Sequence, residues 1–460
     1  MLLRPLLLVL SIAAATSDDA CGQSGCLCTP TNGANDVFMH CANRSLTQLP
    51  EFPPEPKFVV GLDAGHNSIS KLTKFQKLPL KLLDLHYNRI GDIPVSVFSE
   101  LDSLEVLDLS HNNIMELQPQ CFQGLKKLLV LNLTENFIET IQPKAFHEVP
   151  LLKQLALAGN SLKMIDSQWF SNMVHVEHLD LRLLAVSSLP EDVFHSLPAL
   201  TLLELSSNDF QDVPTAALRG AKSLKILHLE HNPITTLSSK SFEGLMSIEE
   251  LHLSSMPNLV TVEDSAFGSM SSLRILDLAN NPLLNQVSGN AFYVSPSNQS
   301  TALTEVYLAY GNLSSLPFVG FDWCSITLLD LRGNPWRCDC SLSWIRSCQF
   351  APELTYHFLC SEPPELSGLP VIQLTEEDLR CTQLSPARDG SSEDEHHHGH
   401  MSLRLLVVTA GLVILLMVLG VVLIGFRRRD IRDWIQNRKR VGAVYYVKAQ
   451  TEPGSRRLQV

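Results

Sequence analysis

The side chains with most chemical potential recur at a fixed interval. Asp84, Asp108, Asn132, Ala156, Asp180, Glu204, His228, His252, Asp277, Tyr307 and Asp330 each stand between the two apolar residues of an L-x-L-type triplet. Successive side chains of a strand point to opposite faces, so the central residue points away from the face its neighbours bury. Strands laid side by side turn these residues into one column. Glu105, Glu135, Glu177, Glu230, Glu249, Glu250 and Glu305 add carboxylates beside it. The column is therefore acidic, with His and Tyr in its C-terminal half, and Asp180, Glu204, His228, His252, Asp277 and Tyr307 are the candidate binding residues. Such a face suits a protein with a basic patch, where complementary charge raises on-rate and specificity; it also serves as a solubilising surface. His228, His231 and His252 are close enough to suggest metal binding, but a solvated face accounts for them better, and no metal or other cofactor is expected. G-x-S-x-G, H-E-x-x-H and P-loop patterns are lacking, so no enzyme is expected.

The elements that position this column follow from an internal repeat. Leu104, Leu107, Leu109, Asn112 and Ile114 fit the template L-x-x-L-x-L-x-x-N-x-L, as do Leu128, Leu131, Leu133, Asn136 and Ile138. The frame recurs every 24 residues from Leu80 through Leu104, Leu128, Leu152, Val176, Leu200 and Leu224 to Ile248. Looser units begin at Val59, Leu273, Leu303 and Ile326, about twelve units in all. The second halves carry Phe98, Phe122, Phe146, Phe170, Phe194, Phe242, Phe267 and Phe292, which predict a stacked spine behind the strands. The Asn at each turn is suited to bonding the backbone of neighbouring coils. No unit buries its leucines alone, so the coils must stack and their ends must be capped. The fold class expected is α/β: a leucine-rich-repeat solenoid, or horseshoe, with a parallel concave sheet. At ~4.8 Å per strand that sheet is roughly 55 Å long. Leu184, Met256 and Gly311 replace the turn Asn, and the spacing widens to 30 between Leu273 and Leu303, implying a loop insertion around Ser295–Ser300. These departures read as tolerated irregularities rather than as a bend or a binding loop.

The chain has 11 cysteines. Four precede the repeats in CGQSGCLC and at Cys41, and four follow in NPWRCDCSLSWI and at Cys360 and Cys381. Each set of four allows three pairings on sequence alone. A zinc site is disfavoured because paired C-x-x-C knuckles are lacking. Both segments resemble the flanking caps of extracellular leucine-rich-repeat proteins. The resemblance covers about residues 21–381 and implies the pairs Cys21–Cys28, Cys26–Cys41, Cys338–Cys360 and Cys340–Cys381. Cys121 occupies a slot that other units fill with Ala145, Ala266 or Ala291, and is read as buried and inert. Cys324 and Cys348 flank the C-terminal cap as a candidate extra bridge.

Residues 1–17 have signal-peptide grammar: Arg4, an apolar run and small residues. The expected order is then an N-terminal cap (18–57), repeats (58–337), a C-terminal cap (338–382), a polar stalk (383–404), a transmembrane helix (405–426) and a cytoplasmic tail (427–460). The 405–426 run has no charged residue, and a helix of that length spans a ~30 Å hydrocarbon core. Arg427, Arg428 and Arg429 follow it, so the positive-inside rule places the C-terminus in the cytosol. The location expected is the plasma membrane, single-pass type I. N-x-S/T sites stand at Asn43, Asn132, Asn298 and Asn312. A glycan on Asn132 would obstruct the N-terminal inner face, so either binding avoids that strip or Asn132 is unoccupied.

The tail is too short for a kinase or a Toll/interleukin-receptor domain. Leu458 and Val460 end it in an apolar–x–apolar carboxyl terminus that resembles a class II PDZ ligand, which would make a cytosolic PDZ-domain protein a partner. With Trp434, Tyr445, Tyr446 and its basic run, the tail also resembles that of the trophoblast glycoprotein family, which implies modulation of Wnt signalling and cell adhesion. The net charge of -13 argues against nucleic acid as a partner. The function expected is a cell-surface receptor, co-receptor or adhesion molecule with an extracellular protein ligand. The alternative is an innate pattern-recognition receptor without its own signalling domain.

Overall fold

The computed structural model describes residues 25–31, 36–52, 58–293, 302–318, 320–348, 350 and 357–381. The expected signal segment, stalk, membrane helix and tail lie outside these residues, as do Cys21, Asn298, Leu458, Val460 and the Ser295–Ser300 insertion. No helix of the described residues is long and apolar enough to cross a membrane.

Each unit converts its triplet into a three-residue strand, as in His178–Asp180, Leu202–Glu204, Ile226–His228, Glu250–His252, Ile275–Asp277 and Glu305–Tyr307. These strands join Val59–Asp63 and the cap strands Leu27–Pro30 and Val37–His40 in one 14-stranded sheet. Its first pair is antiparallel and the others are parallel. The residues on either side of the outward position, such as Leu203 and Leu205, are fully buried. Their burial is what fixes the register, because a one-residue slip would turn every leucine to the solvent.

The turn asparagines form a buried ladder. Asn112 donates through Nδ2 to the Leu85 carbonyl of the preceding coil and the Leu109 carbonyl of its own, both at 3.0 Å. Its Oδ1 accepts from the Ile90 N–H at 3.0 Å. Leu184 and Met256, which lack this chemistry, are themselves buried. Their backbone N–H groups are taken up by the next coil's Asn208 and Asn281. The irregular units thus keep a satisfied turn.

Behind the sheet the phenylalanines stack. Ring centroids are 5.8 Å apart for Phe122–Phe146, 5.7 Å for Phe242–Phe267 and 5.3 Å for Phe267–Phe292. Each of these steps exceeds the ~4.8 Å between strands, so the array curves with its sheet on the inside. The α/β expectation needs correction here. The back consists of turns, short 3₁₀ segments and two-residue strands such as Glu116–Leu117 and Thr261–Val262. The single α-helix among the described residues is Thr215–Leu218, where Leu218 takes the place of the spine phenylalanine. A unit that spends its residues on strand, Asn turn and an inward-turned Phe leaves too short a stretch to nucleate a multi-turn helix.

The ends are sealed as the core requires. Cys26–Cys41 joins the ends of the N-terminal hairpin, and Cys28 is also disulfide-bonded. Cys338–Cys360 and Cys340–Cys381 close the C-terminal cap over the buried Trp336, and Cys324–Cys348 ties the last coil to it. Cys121 is a free, buried cysteine among the described residues, and burial pushes its thiol up to about 12. The thiolate is the reactive form. Cys121 is therefore expected to resist iodoacetamide in the folded protein and to be labelled once the chain is unfolded, which peptide mass spectrometry would check.

Candidate docking face

The outward column is a continuous feature of the sheet. Strand register places Asp63, Asp84, Asp108, Asn132, Ala156, Asp180, Glu204, His228, His252, Asp277, Tyr307 and Asp330 side by side in that order. The wide step from Asp277 to Tyr307 is absorbed without loss of register.

The column is not uniformly available. Asp180 is only 5% exposed. Arg182 holds it in a two-pronged contact, Nε to Oδ1 at 2.9 Å and Nη2 to Oδ2 at 2.7 Å, and approaches Glu204 at 3.6 Å. Asp330 and Arg332 repeat the arrangement. The flanking glutamates are also engaged: Glu177 with Lys153, Glu249 with Lys225, and Glu250 with Arg274. The acidic face expected from sequence is therefore neutralised in part by the same sheet, and Asp180 is withdrawn from contact. The signal for this was a D-x-R spacing in two units, which sets the arginine beside the aspartate two residues earlier.

Two stretches keep their character. Asp63, Asp84 and Asp108 stand on three adjacent strands at the N-terminal end. Burial, with Asp84 nearby, raises the pKa of the Asp63 carboxyl, and the hydrogen bond that Asp84 accepts from the His86 ring raises that of His86. His66, Tyr87 and His111 form a stacked row beside them that the sequence analysis missed, with centroids 4.6 and 4.0 Å apart.

The second stretch runs from Glu204 to Tyr307. His228 and His252 lie on neighbouring strands with rings parallel to within 5° and 4.3 Å apart. His228 Nδ1 is 2.8 Å from Glu230 Oε1, and Ser206 Oγ donates to Glu230 Oε2 at 2.5 Å. Burial works against the His228 cation, but the Glu230 hydrogen bond and charge prevail and raise its pKa. Burial likewise opposes the Glu230 anion, yet the bonds from His228 and Ser206 hold it below its ordinary range. His252 Nδ1 lies 4.0 Å from Asp277 Oδ2, and Tyr307 donates to Glu305 Oε2 at 3.0 Å. His231 is exposed and its backbone is left-handed at φ 58°, so the turn takes it off the strand that carries His228. Donors, acceptors and rings are thus gathered, partly covered, on one stretch of the sheet.

Leucine-rich-repeat models match residues 78–128, 112–162, 150–210 and 200–258, and a leucine-rich-repeat C-terminal domain model matches residues 357–382. The chain carries leucine-rich repeats closed by a leucine-rich-repeat C-terminal domain. A chain in the structure of the Toll–Spatzle complex of Drosophila is similar to it at 20% identity and a TM-score of 0.52, over 69% of this chain and 54% of that one. A chain from the glycosylated form of that complex is similar at 20% identity and a TM-score of 0.50, over 68% and 54%. At this identity the likeness is one of fold. The chain spans about half the length of the solved chains it matches.

The repeat sheet also bears on the N-x-S/T sites. Asn43 and Asn312 are exposed. Asn132 is buried, its Nδ2 donating to Asp108 Oδ2 at 3.0 Å and its Oδ1 accepting from the Thr134 N–H. Nδ2 is the atom a glycan would take. Asn43 and Asn312 are expected to carry glycans and Asn132 to be empty. Enzymatic deglycosylation in water labelled with heavy oxygen, followed by peptide mass spectrometry, reads all three, and a fully occupied Asn132 would contradict this.

Proposed function

We propose that this chain is a cell-surface receptor, co-receptor or adhesion molecule, without enzymatic activity, whose repeat sheet docks an extracellular protein ligand between Glu204 and Tyr307. One observation carries the reading. Four adjacent strands present His228, His252, Asp277 and Tyr307 in register, half-buried and, among the described residues, tied to no lysine or arginine. At Asp180, Glu177, Glu249, Glu250 and Asp330 the sheet pairs its own charges. A ligand would therefore gain most where partly covered side chains keep hydrogen-bonding capacity that no lysine or arginine takes up. The fold likeness to a chain from the Toll–Spatzle complex, itself an assembly of proteins, is consistent with a docking role.

The type I plasma-membrane placement rests on the apolar run 405–426 and the basic residues after it. Wnt-pathway modulation is the narrower form of the proposal, supported by the tail resemblance, and a PDZ-domain partner at Leu458–Val460 is its cytosolic extension. The test is proximity labelling on intact cells that express the full chain, compared with the double substitution Asp277→Lys and Tyr307→Ala. A surface protein labelled by the parent chain is expected to fall at least tenfold with the variant. Equal labelling by both would reject this face and move attention to the back of the repeats and the caps.

A further inference from the structure

We propose that His228, Glu230 and His252 form a site for one divalent transition-metal ion of the zinc class. Each residue offers a ligand atom, and the three atoms lie within 4.8 Å of one another. Bonds of about 2.0–2.2 Å in a tetrahedral site place ligand atoms roughly 3.3 Å apart, so small side-chain rotations close the gap. The backbone has already done the larger part of the positioning. His228 and His252 are direct partners across two parallel strands, and their stacked rings set nitrogens side by side. Glu230 follows His228 by two residues and turns back onto it.

The surroundings are those of a supported site. Ser206 holds Glu230 through Oε2, which leaves Oε1 directed at His228. Metal-binding side chains are commonly oriented by such outer partners. The closest carboxylate to the His252 ring is Asp277 at 4.0 Å, beyond hydrogen-bonding distance, so a His252 lone pair remains for an ion. The side chains of His228, Glu230 and His252 are 21%, 18% and 23% exposed, well short of a solvated surface cluster. Two imidazoles and one carboxylate suit zinc and its neighbours, whereas calcium and magnesium prefer all-oxygen shells. Three protein ligands leave a coordination position open on the sheet face, where water or a side chain of a docked protein can enter. The ion is held by this chain alone, so the inference stands or falls separately from the docking reading.

The rival ligands are His396, His397, His398 and His400. The purified full chain with these four changed to Ala would be stripped with chelator and titrated with zinc chloride by calorimetry, and with cobalt(II) by visible absorption. The expected result is one ion per chain with a tetrahedral cobalt spectrum. His252→Ala and Glu230→Gln should each weaken binding by about tenfold or more, while His231→Ala leaves it unchanged. Metal-free thermal melts of each variant establish folding, and His252→Gln replaces the alanine variant if its melt shifts. Loss of all binding on removing the four rival histidines would overturn the proposal. So would binding that survives both His252 substitutions.

Discussion

Phe267→Ala is expected to destabilise the repeat array by about 3–5 kcal/mol, the usual cost of removing a fully buried aromatic side chain. Phe267 is 0% exposed and lies between Phe242 and Phe292 in the spine. Its loss removes two ring contacts as well as buried area. Coils contact chiefly their neighbours, so the damage should fall on the adjoining units rather than on the whole chain. Trp323, Trp336 and Trp344 lie on the C-terminal side of this point. Urea unfolding followed by tryptophan fluorescence should therefore show a midpoint well below that of the parent. Phe137→Ala is the control: Phe137 is 55% exposed, and a surface change of this kind is expected to stay within about 0.5 kcal/mol. Equal midpoints for the two variants would show that the spine does not carry the stability assigned to it.

Asn232→Ala is expected to cost about 2–3 kcal/mol. Asn232 is 0% exposed and bonds the carbonyls of Leu205 and Leu229 while accepting from the Phe210 N–H. The Leu205 carbonyl keeps a second partner in Asn208. The Phe210 N–H and the Leu229 carbonyl both lose the Asn232 bond, next to a new cavity. Asn232→Leu fills the cavity, as Leu184 does two coils earlier, and should cost less than the alanine variant while still exposing the Phe210 amide. Hydrogen exchange read by mass spectrometry should report lost protection across residues 205–232 in both. Unchanged protection in both variants would remove the ladder from the list of things that hold the coils together.

The spacing of 24 residues made the repeats, the inward leucines, the ladder and most of the spine legible, because each is a consequence of period alone. The back of the solenoid was not, since the period says how many residues return but not which turns they take. The site was half legible. The alternation of L-x-L put the column residues in one row of the sheet, Tyr307 beyond the wide step included, but not their exposure, since Asn132, Asp180 and Asp330 are buried. It could not tell that Lys153 reaches Glu177 one coil away, whereas the Arg182–Asp180 pair had its signal in the D-x-R spacing. Charge pairing depends on side-chain reach between coils, and a residue count does not carry it. The histidines show the same limit. Proximity in sequence grouped His231 with His228 and His252, whereas the left-handed turn removes His231 and brings Glu230 in.

The Cys340–Cys381 bridge, which spans 41 residues of sequence, has a mechanical consequence. Tension applied to the chain beyond residue 381 passes through that bond to Cys340 and so into the last coil. The intervening segment cannot pay out, and roughly 140 Å of extension, at about 3.4 Å per residue, is withheld. The cap thus behaves as a short, stiff coupling between the chain beyond residue 381 and the repeat sheet. Load entering from the C-terminal side would reach the repeat strands before the cap lengthened.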